Sequence, residues 1–263
     1  MASKYPIILA HGIVVKDLKF FKAFGRIEKV LQDAGYVVYT SRTDGFGTIE
    51  SNAQQLKEQI QEILAKHNVD KVNIIAHSKG GLDSRYMIEN LDMENSVASL
   101  TTICSPHKGS KLATKLYSLP RPILRFVAYW INLVYRIGGG DKHPNSLEVL
   151  RQLKEIPEED YEKAVSVKCQ SVYSQSYSAI MKRSRDDFVM GVPMKVIQNI
   201  EQDFQSDGLV SVESSKWAEY KGNCIDESVS HSQLIDFMVT EQKREKIHAF
   251  YLSICKDLTQ RGF

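Results

Sequence analysis

Short runs of apolar, β-branched residues alternate with longer stretches of helical periodicity through the first part of the chain. Residues 7–10 are an uninterrupted apolar run ending at His11-Gly12, which predicts a buried strand. Over 20–34 the apolar side chains Phe20, Phe24, Ile27, Val30 and Leu31 recur at helical spacing until Gly35 ends the pattern. A strand is predicted at 36–39. A helix follows over 51–66, with Leu56, Ile60, Ile63 and Leu64 as its inner stripe. Strand 72–76, helix 80–90 and strand 97–104 complete the series. Strands separated by helices need crossover connections, so the fold class is α/β: a mainly parallel central sheet covered by helices on both faces.

The alternation stops after Cys104, and the next apolar run that reads as a strand is 193–197. The residues between predict a helical insertion at about 105–192 within a single domain, 1–263. Its densest apolar run, 126–135, is shorter than the roughly 20 residues that cross a bilayer. Arg125, Tyr129, Asn132 and Arg136 align at helical spacing, leaving a narrow polar stripe beside a broad apolar face, and Gly138-Gly139-Gly140 follows. Such a helix is either ordinary packing or an apolar cover over a site, with Phe126, Trp130 and Val134 toward substrate.

Composition narrows the possibilities. With 34 Lys+Arg against 32 Asp+Glu, the formal charge is +2 with the signs interspersed, which excludes the basic stripe of a nucleic-acid binder. An apolar content of 43% excludes a disordered chain. Cys104, Cys169, Cys224 and Cys255 form no CxxC and stand apart from histidine clusters, so buried thiols are expected rather than a metal or redox site. The N-terminus enters the first strand without a separate apolar leader. This predicts a cytoplasmic protein, or a secreted one whose signal has been removed.

The chemistry concentrates after strand 72–76. Ala76-His77-Ser78-Lys79-Gly80 places Ser78 on a sharp strand-to-helix turn, where small flanking residues are needed because the adjoining strand and helix leave no space for a side chain. His11-Gly12-Ile13 follows the first strand, where a hydrolase of this topology supplies one oxyanion donor. The N–H groups of Ile13 and Lys79 would form that pair, with the Lys79 side chain expected in solvent. A nucleophilic serine needs a base and an orienting acid, in chain order Ser, acid, His. Of the downstream histidines, His107 ends a strand, His143 lies in the insertion and His248 in a C-terminal helix, so the base is His231. Asp207, in Ser206-Asp207-Gly208, is the best-placed acid, with Asp203 and Asp226 as competitors.

These residues, together with Tyr5-Pro6-Ile7, Arg85-Tyr86, Pro106-His107-Lys108-Gly109-Ser110 and Ser214-Ser215, resemble the bacterial true lipases of the Pseudomonas, Burkholderia and Proteus type. The resemblance covers the sheet core and is poor over 113–192. It implies an α/β-hydrolase fold, Ser78 as nucleophile, His231 as base, Asp207 as acid, and a lid including the apolar segment near 122–136. Those lipases hold a structural calcium with an Asp two residues after the catalytic histidine. Here that position is Gln233, leaving Asp187 and Asp236 as candidate ligands, and no cofactor is required for the reaction. The expected activity is hydrolysis of apolar acyl esters such as triacylglycerols at a lipid–water interface. A short-chain esterase, polyester hydrolase or thioesterase on the same scaffold is the alternative, and a non-catalytic lipid binder fits less well.

Overall fold

β1 (Ile7–Ala10) falls on the first apolar run. The computed structural model describes residues 3–13, 22–168, 170–198 and 205–263. After β1 come α1 (Ile27–Asp33), β2 (Val38–Thr40), α2 (Ile49–His67), β3 (Val72–His77), α3 (Lys79–Asn90) and β4 (Val97–Ile103). Then follow α4 (Lys111–Tyr117), α5 (Arg121–Ile137), α6 (Ser146–Gln152), α7 (Tyr161–Val165), β5 (Tyr173–Ser178), α8 (Gly191–Gln198), α9 (Val212–Ser215), β6 (Glu219–Asn223) and α10 (Glu241–Gln260).

Among the described residues the strands form one sheet in the order β2-β1-β3-β4-β5-β6, and every pairing is parallel. Successive side chains of a strand point to opposite faces. Ile7, Leu9, Ile75 and Ile103 therefore pack with Ile27 and Leu31 of α1 and with Ile247, Phe250 and Ile254 of α10. Ile8, Ala10, Ile74, Ala76 and Leu100 pack on the other side with Leu56 and Ile60 of α2 and Met87 of α3. Both faces are covered, which explains why these strands are predominantly apolar.

Three expectations need correction. The helix predicted over 20–34 begins, within the described residues, only at Ile27. Gly25 stands at φ +50, and a Cβ there would lie 2.7 Å from the Asp236 Cβ, so the backbone turns at this glycine. Phe20 lies outside the described residues. The run 193–197, expected as a strand, is helical within α8. Pro193 occupies its first turn, where a missing N–H costs nothing, and the buried residues Met194 and Ile197 keep helical spacing.

The strand that pairs with β4 is instead β5, whose sequence Tyr-Ser-Gln-Ser-Tyr-Ser has no apolar run. Its buried polar side chains are satisfied individually. Gln175 donates to Thr101 Oγ1 at 2.9 Å and Ser176 donates to the Trp217 carbonyl at 2.5 Å. The covering segment between β4 and β5 consequently ends at 172 rather than 192, and α8 and α9 belong to the next connection.

Within that cover, α5 buries only Leu124 and Ala128 and rests on α6. The chain beyond its C-terminal glycines is tied to the loop after β2 by two reciprocal carboxylates. Asp141 accepts the N–H groups of Gly45 and Phe46, and Asp44 accepts those of Lys142 and His143.

Candidate active site

The loops leaving β1, β3 and β4 converge at the carboxyl ends of the parallel strands, where open α/β sheets bind ligands. Ser78, between β3 and α3, has φ 58 and ψ −132, a conformation that is strained for a residue with a Cβ. The small neighbours serve close approach. A Cβ on Gly80 would stand 2.4 Å from the Ala10 carbonyl oxygen, and one on Gly81 would stand 2.1 Å from Ser105 Oγ. Gly12 lies directly against the nucleophile candidate, since a Cβ there would sit 2.6 Å from Ser78 Cβ. This contact brings Ile13 beside Ser78. Among the described residues, the Ile13 and Lys79 N–H groups donate to no other protein group.

His231 and Asp207, 24 positions apart in sequence, meet with Nδ1 2.5 Å from Oδ2. The His231 N–H also donates to the Asp207 carbonyl at 2.9 Å. The other carboxylate oxygen of Asp207 accepts the N–H groups of Leu209 and Val210 at 2.9 and 2.8 Å, and the side chain is fully buried. The aspartate is thus held from both oxygens and fixes the imidazole tautomer that leaves Nε2 as acceptor. The His231 ring packs on His77 with centroids 4.4 Å apart. Burial, and then the neighbouring His231, push the His77 pKa well below its ordinary value, so that imidazole stays neutral. Among the described residues Ser78 Oγ and His231 Nε2 make no hydrogen bond. Such contacts commonly tighten only when substrate is present.

The competing residues stand elsewhere. His107 is buried between the Arg85 guanidinium, 3.1 Å from Nδ1, and Thr102 Oγ1, 3.1 Å from Nε2, and stacks on Trp217. Both ring nitrogens are engaged, and burial holds its pKa well below the ordinary value. His248 lies on α10, 3.4 Å from Asp236, and His143 is exposed. Asp226 is exposed, and Asp203 lies outside the described residues.

The Lys79 side chain, expected in solvent, is instead 1% exposed and pairs with Asp83 at 2.6 Å. One turn of helix separates them, and Asn52 donates to the other Asp83 oxygen at 3.1 Å. Burial raises the Asp83 pKa to about 6 against the opposing pull of Lys79 and Asn52. The buried pair anchors the first turn of α3, the turn that carries the Lys79 N–H.

The candidate calcium ligands do not fit a cation. Asp236 Oδ1 accepts from Arg244 Nε at 2.6 Å, and Oδ2 accepts from the Arg26 N–H at 2.9 Å. A guanidinium already supplies the positive charge. Asp187 is saturated too, with Val189 and Met190 N–H groups on Oδ1 and the hydroxyls of Ser230 and Ser232 on Oδ2. Burial alone would raise the Asp187 pKa, yet these hydrogen bonds outweigh it and hold the carboxyl below its ordinary value. No group of three or more His, Cys, Asp or Glu gathers as a metal site among the described residues. Ser230 and Ser232 flank His231, so Asp187 grips the loop that carries the imidazole. The Ser-His-Ser pattern was the available signal for this role.

Beneath α5 lies an apolar cavity of about 240 Å³, lined by Ile13, Leu116, Ile123, Leu124, Val127 and Leu153 among others. Phe126, Trp130 and Val134 do not line it and point outward, exposed. No described helix is long and apolar enough to cross a membrane.

An elbow serine and a histidine–aspartate pair at the head of a parallel sheet define the class, an α/β hydrolase acting on carboxylic esters. The chain belongs to the palmitoyl protein thioesterase family, whose model matches residues 6–184. It is 31% identical to triacylglycerol lipase 2 of Saccharomyces cerevisiae over 264 residues, covering 90% of this chain and 73% of that protein. It is 39% identical to a triacylglycerol lipase of Burkholderia plantarii over 119 residues, 43% of this chain but only 32% of that one. The fold matches the crystal structure of Staphylococcus hyicus lipase with a TM-score of 0.67 at 15% identity, over 98% of this chain and 96% of that one.

Proposed function

We propose that this protein hydrolyses esters of long apolar acyl chains, triacylglycerols among them, through an acyl-enzyme on Ser78. The observation that carries the reading is the apolar cavity beneath α5, whose lining includes Ile13, the residue that follows the Gly12 packed on Ser78. An acyl chain seated there presents its carbonyl carbon to Ser78 Oγ and its oxygen to the Ile13 and Lys79 N–H groups. His231 Nε2 takes the hydroxyl proton as the Ser78 C–O bond forms, and Asp207 stabilises the resulting imidazolium. His231 then gives that proton to the departing alkoxide oxygen. Water repeats the sequence on the acyl-enzyme, releasing the fatty acid and restoring Ser78. The names of the yeast and Burkholderia relatives support the lipid-ester substrate. The 119 residues matched to the Burkholderia lipase support the likeness to the bacterial true lipases.

The description of the matched family favours a second reading, cleavage of a fatty-acyl thioester by the same residues, with a thiolate leaving. A panel of p-nitrophenyl esters of increasing acyl length, an emulsified triglyceride and a palmitoyl thioester separates the two. The lipase reading expects activity that rises with acyl length and jumps when the substrate aggregates. Thioester cleavage with no triglyceride hydrolysis would establish the second reading, and equal activity on all acyl lengths would remove the cavity from the argument.

A further inference from the structure

α5 shows two kinds of side chain to solvent. Ile123, Phe126, Trp130, Val134 and Ile137 follow one another three or four positions apart, forming a single stripe. They are 51, 65, 50, 59 and 77% exposed, although Leu124 and Ala128 on the inner side hold the helix against the protein. Monomeric soluble proteins seldom leave so continuous an apolar stripe in water. Beside the stripe stand Arg125 and Arg136, both exposed, with Lys115 exposed on α4 and Arg121 stacked on the Tyr117 ring at 4.5 Å. The chain has no Asp or Glu anywhere between Ser105 and Gly140, although its overall charge is only +2. Every Lys, Arg, Asp or Glu in that segment is therefore basic, and Arg125 and Arg136 lie beside the apolar stripe.

We infer that the outer face of α5 is a docking surface for an anionic phospholipid membrane, with the helix lying in the interface plane. This rests on the lipid-ester reading for its purpose, since it would set the cavity beneath α5 at the lipid surface. Trp130 and Tyr129 have the amphipathic rings that settle at headgroup level, and arginines flanking an apolar face reach the phosphates. At 17 residues α5 is shorter than a spanning helix, and Arg125 and Arg136 oppose burial across the hydrocarbon. A second copy of this chain is a poorer occupant. Face-to-face pairing would set arginine against arginine with no carboxylate in the segment to neutralise them.

The test uses the full chain as Ser78→Ala, so that hydrolysis cannot alter the lipid. Binding is read by vesicle flotation, and by Trp fluorescence, in which Trp130 is exposed and Trp217 buried. Vesicles of phosphatidylcholine are compared with equimolar phosphatidylcholine and phosphatidylglycerol. Each arginine near an anionic surface is worth about fivefold in affinity, so the anionic vesicles should bind tighter by about tenfold or more. Arg125→Glu with Arg136→Glu should abolish that preference. Trp130→Ser should weaken binding to both kinds of vesicle. If the charge-reversed protein does not fold, Arg125→Gln with Arg136→Gln and a salt titration of the parent carry the same expectation. Equal binding to both vesicles, a preference that survives removal of both arginines, or a dimer that buries Trp130 without lipid would overturn the inference. Wild-type turnover of a soluble ester is measured alongside. Ester hydrolysis without vesicle binding defeats only the docking surface, and binding without hydrolysis defeats only the proposed reaction.

Discussion

The Nδ1 atom of His231 lies 2.5 Å from Oδ2 of Asp207, while Oδ1 of the same carboxylate takes two backbone N–H groups. The aspartate therefore cannot rotate freely, and it holds one imidazole tautomer.

Replacing Asp207 with Asn keeps the shape but lets the side-chain amide hold the wrong tautomer, and turnover of a p-nitrophenyl ester should fall by up to about 10⁴. Asp226→Asn, at an exposed position, should leave turnover unchanged. An active Asp207→Asn protein would move the acid role elsewhere.

Gly12→Ala tests the oxyanion loop at the point where it packs on the side chain of Ser78. The new Cβ would meet Ser78 Cβ at 2.6 Å, so the loop carrying the Ile13 N–H and Ser78 must move apart. Loss of one donor corresponds to a fall in kcat of about 10² to 10³ with KM much less changed. Unchanged kcat in a correctly folded variant would remove Ile13 from the site.

His77 and His107 are both buried with pKa values pushed well below the ordinary 6.5, chiefly by burial. In the unfolded chain they bind protons below about pH 6.5, while the folded protein does not, so stability is complete above that pH and is lost as pH falls beneath it. Each contributes a slope of about 1.4 kcal/mol per pH unit. Urea midpoints between neutral and mildly acid pH should drop steeply, and His107→Gln should flatten the slope. An unchanged slope would mean that His107 is protonated in the fold.

Arg244 occupies Asp236 as a cation would. A chelator should therefore leave activity and melting temperature unaltered, whereas Arg244→Met should cost about 2 kcal/mol by stranding the buried Asp236 carboxylate. A loss of activity on chelation, restored by calcium, would contradict this.

Much of the α/β core was legible because β1, β3 and β4 are covered on both faces and are therefore rich in apolar, β-branched residues. β5 and β6 were not, since β5 satisfies its burial through Gln175 and Ser176 hydrogen bonds rather than through apolar side chains, and β6 is largely exposed. The same ambiguity misread 193–197, where three apolar residues, a lysine and a proline fit a strand or a first helical turn equally well. Ser78 was readable from its elbow, because that backbone tolerates only small neighbours.

By itself the sequence determined the succession of strands and helices in the parallel core, the serine elbow, and His231 and Asp207 as candidate partners, because each leaves a local mark of periodicity, residue size or chain order. Only the tertiary structure decided that Asp207 is gripped from both oxygens, that Lys79 turns inward to Asp83, that Arg244 fills the place of a cation, and that α5 shows its aromatic stripe to solvent above an apolar cavity. These depend on which distant segments meet, and the direction in which a side chain points is settled by what packs against it.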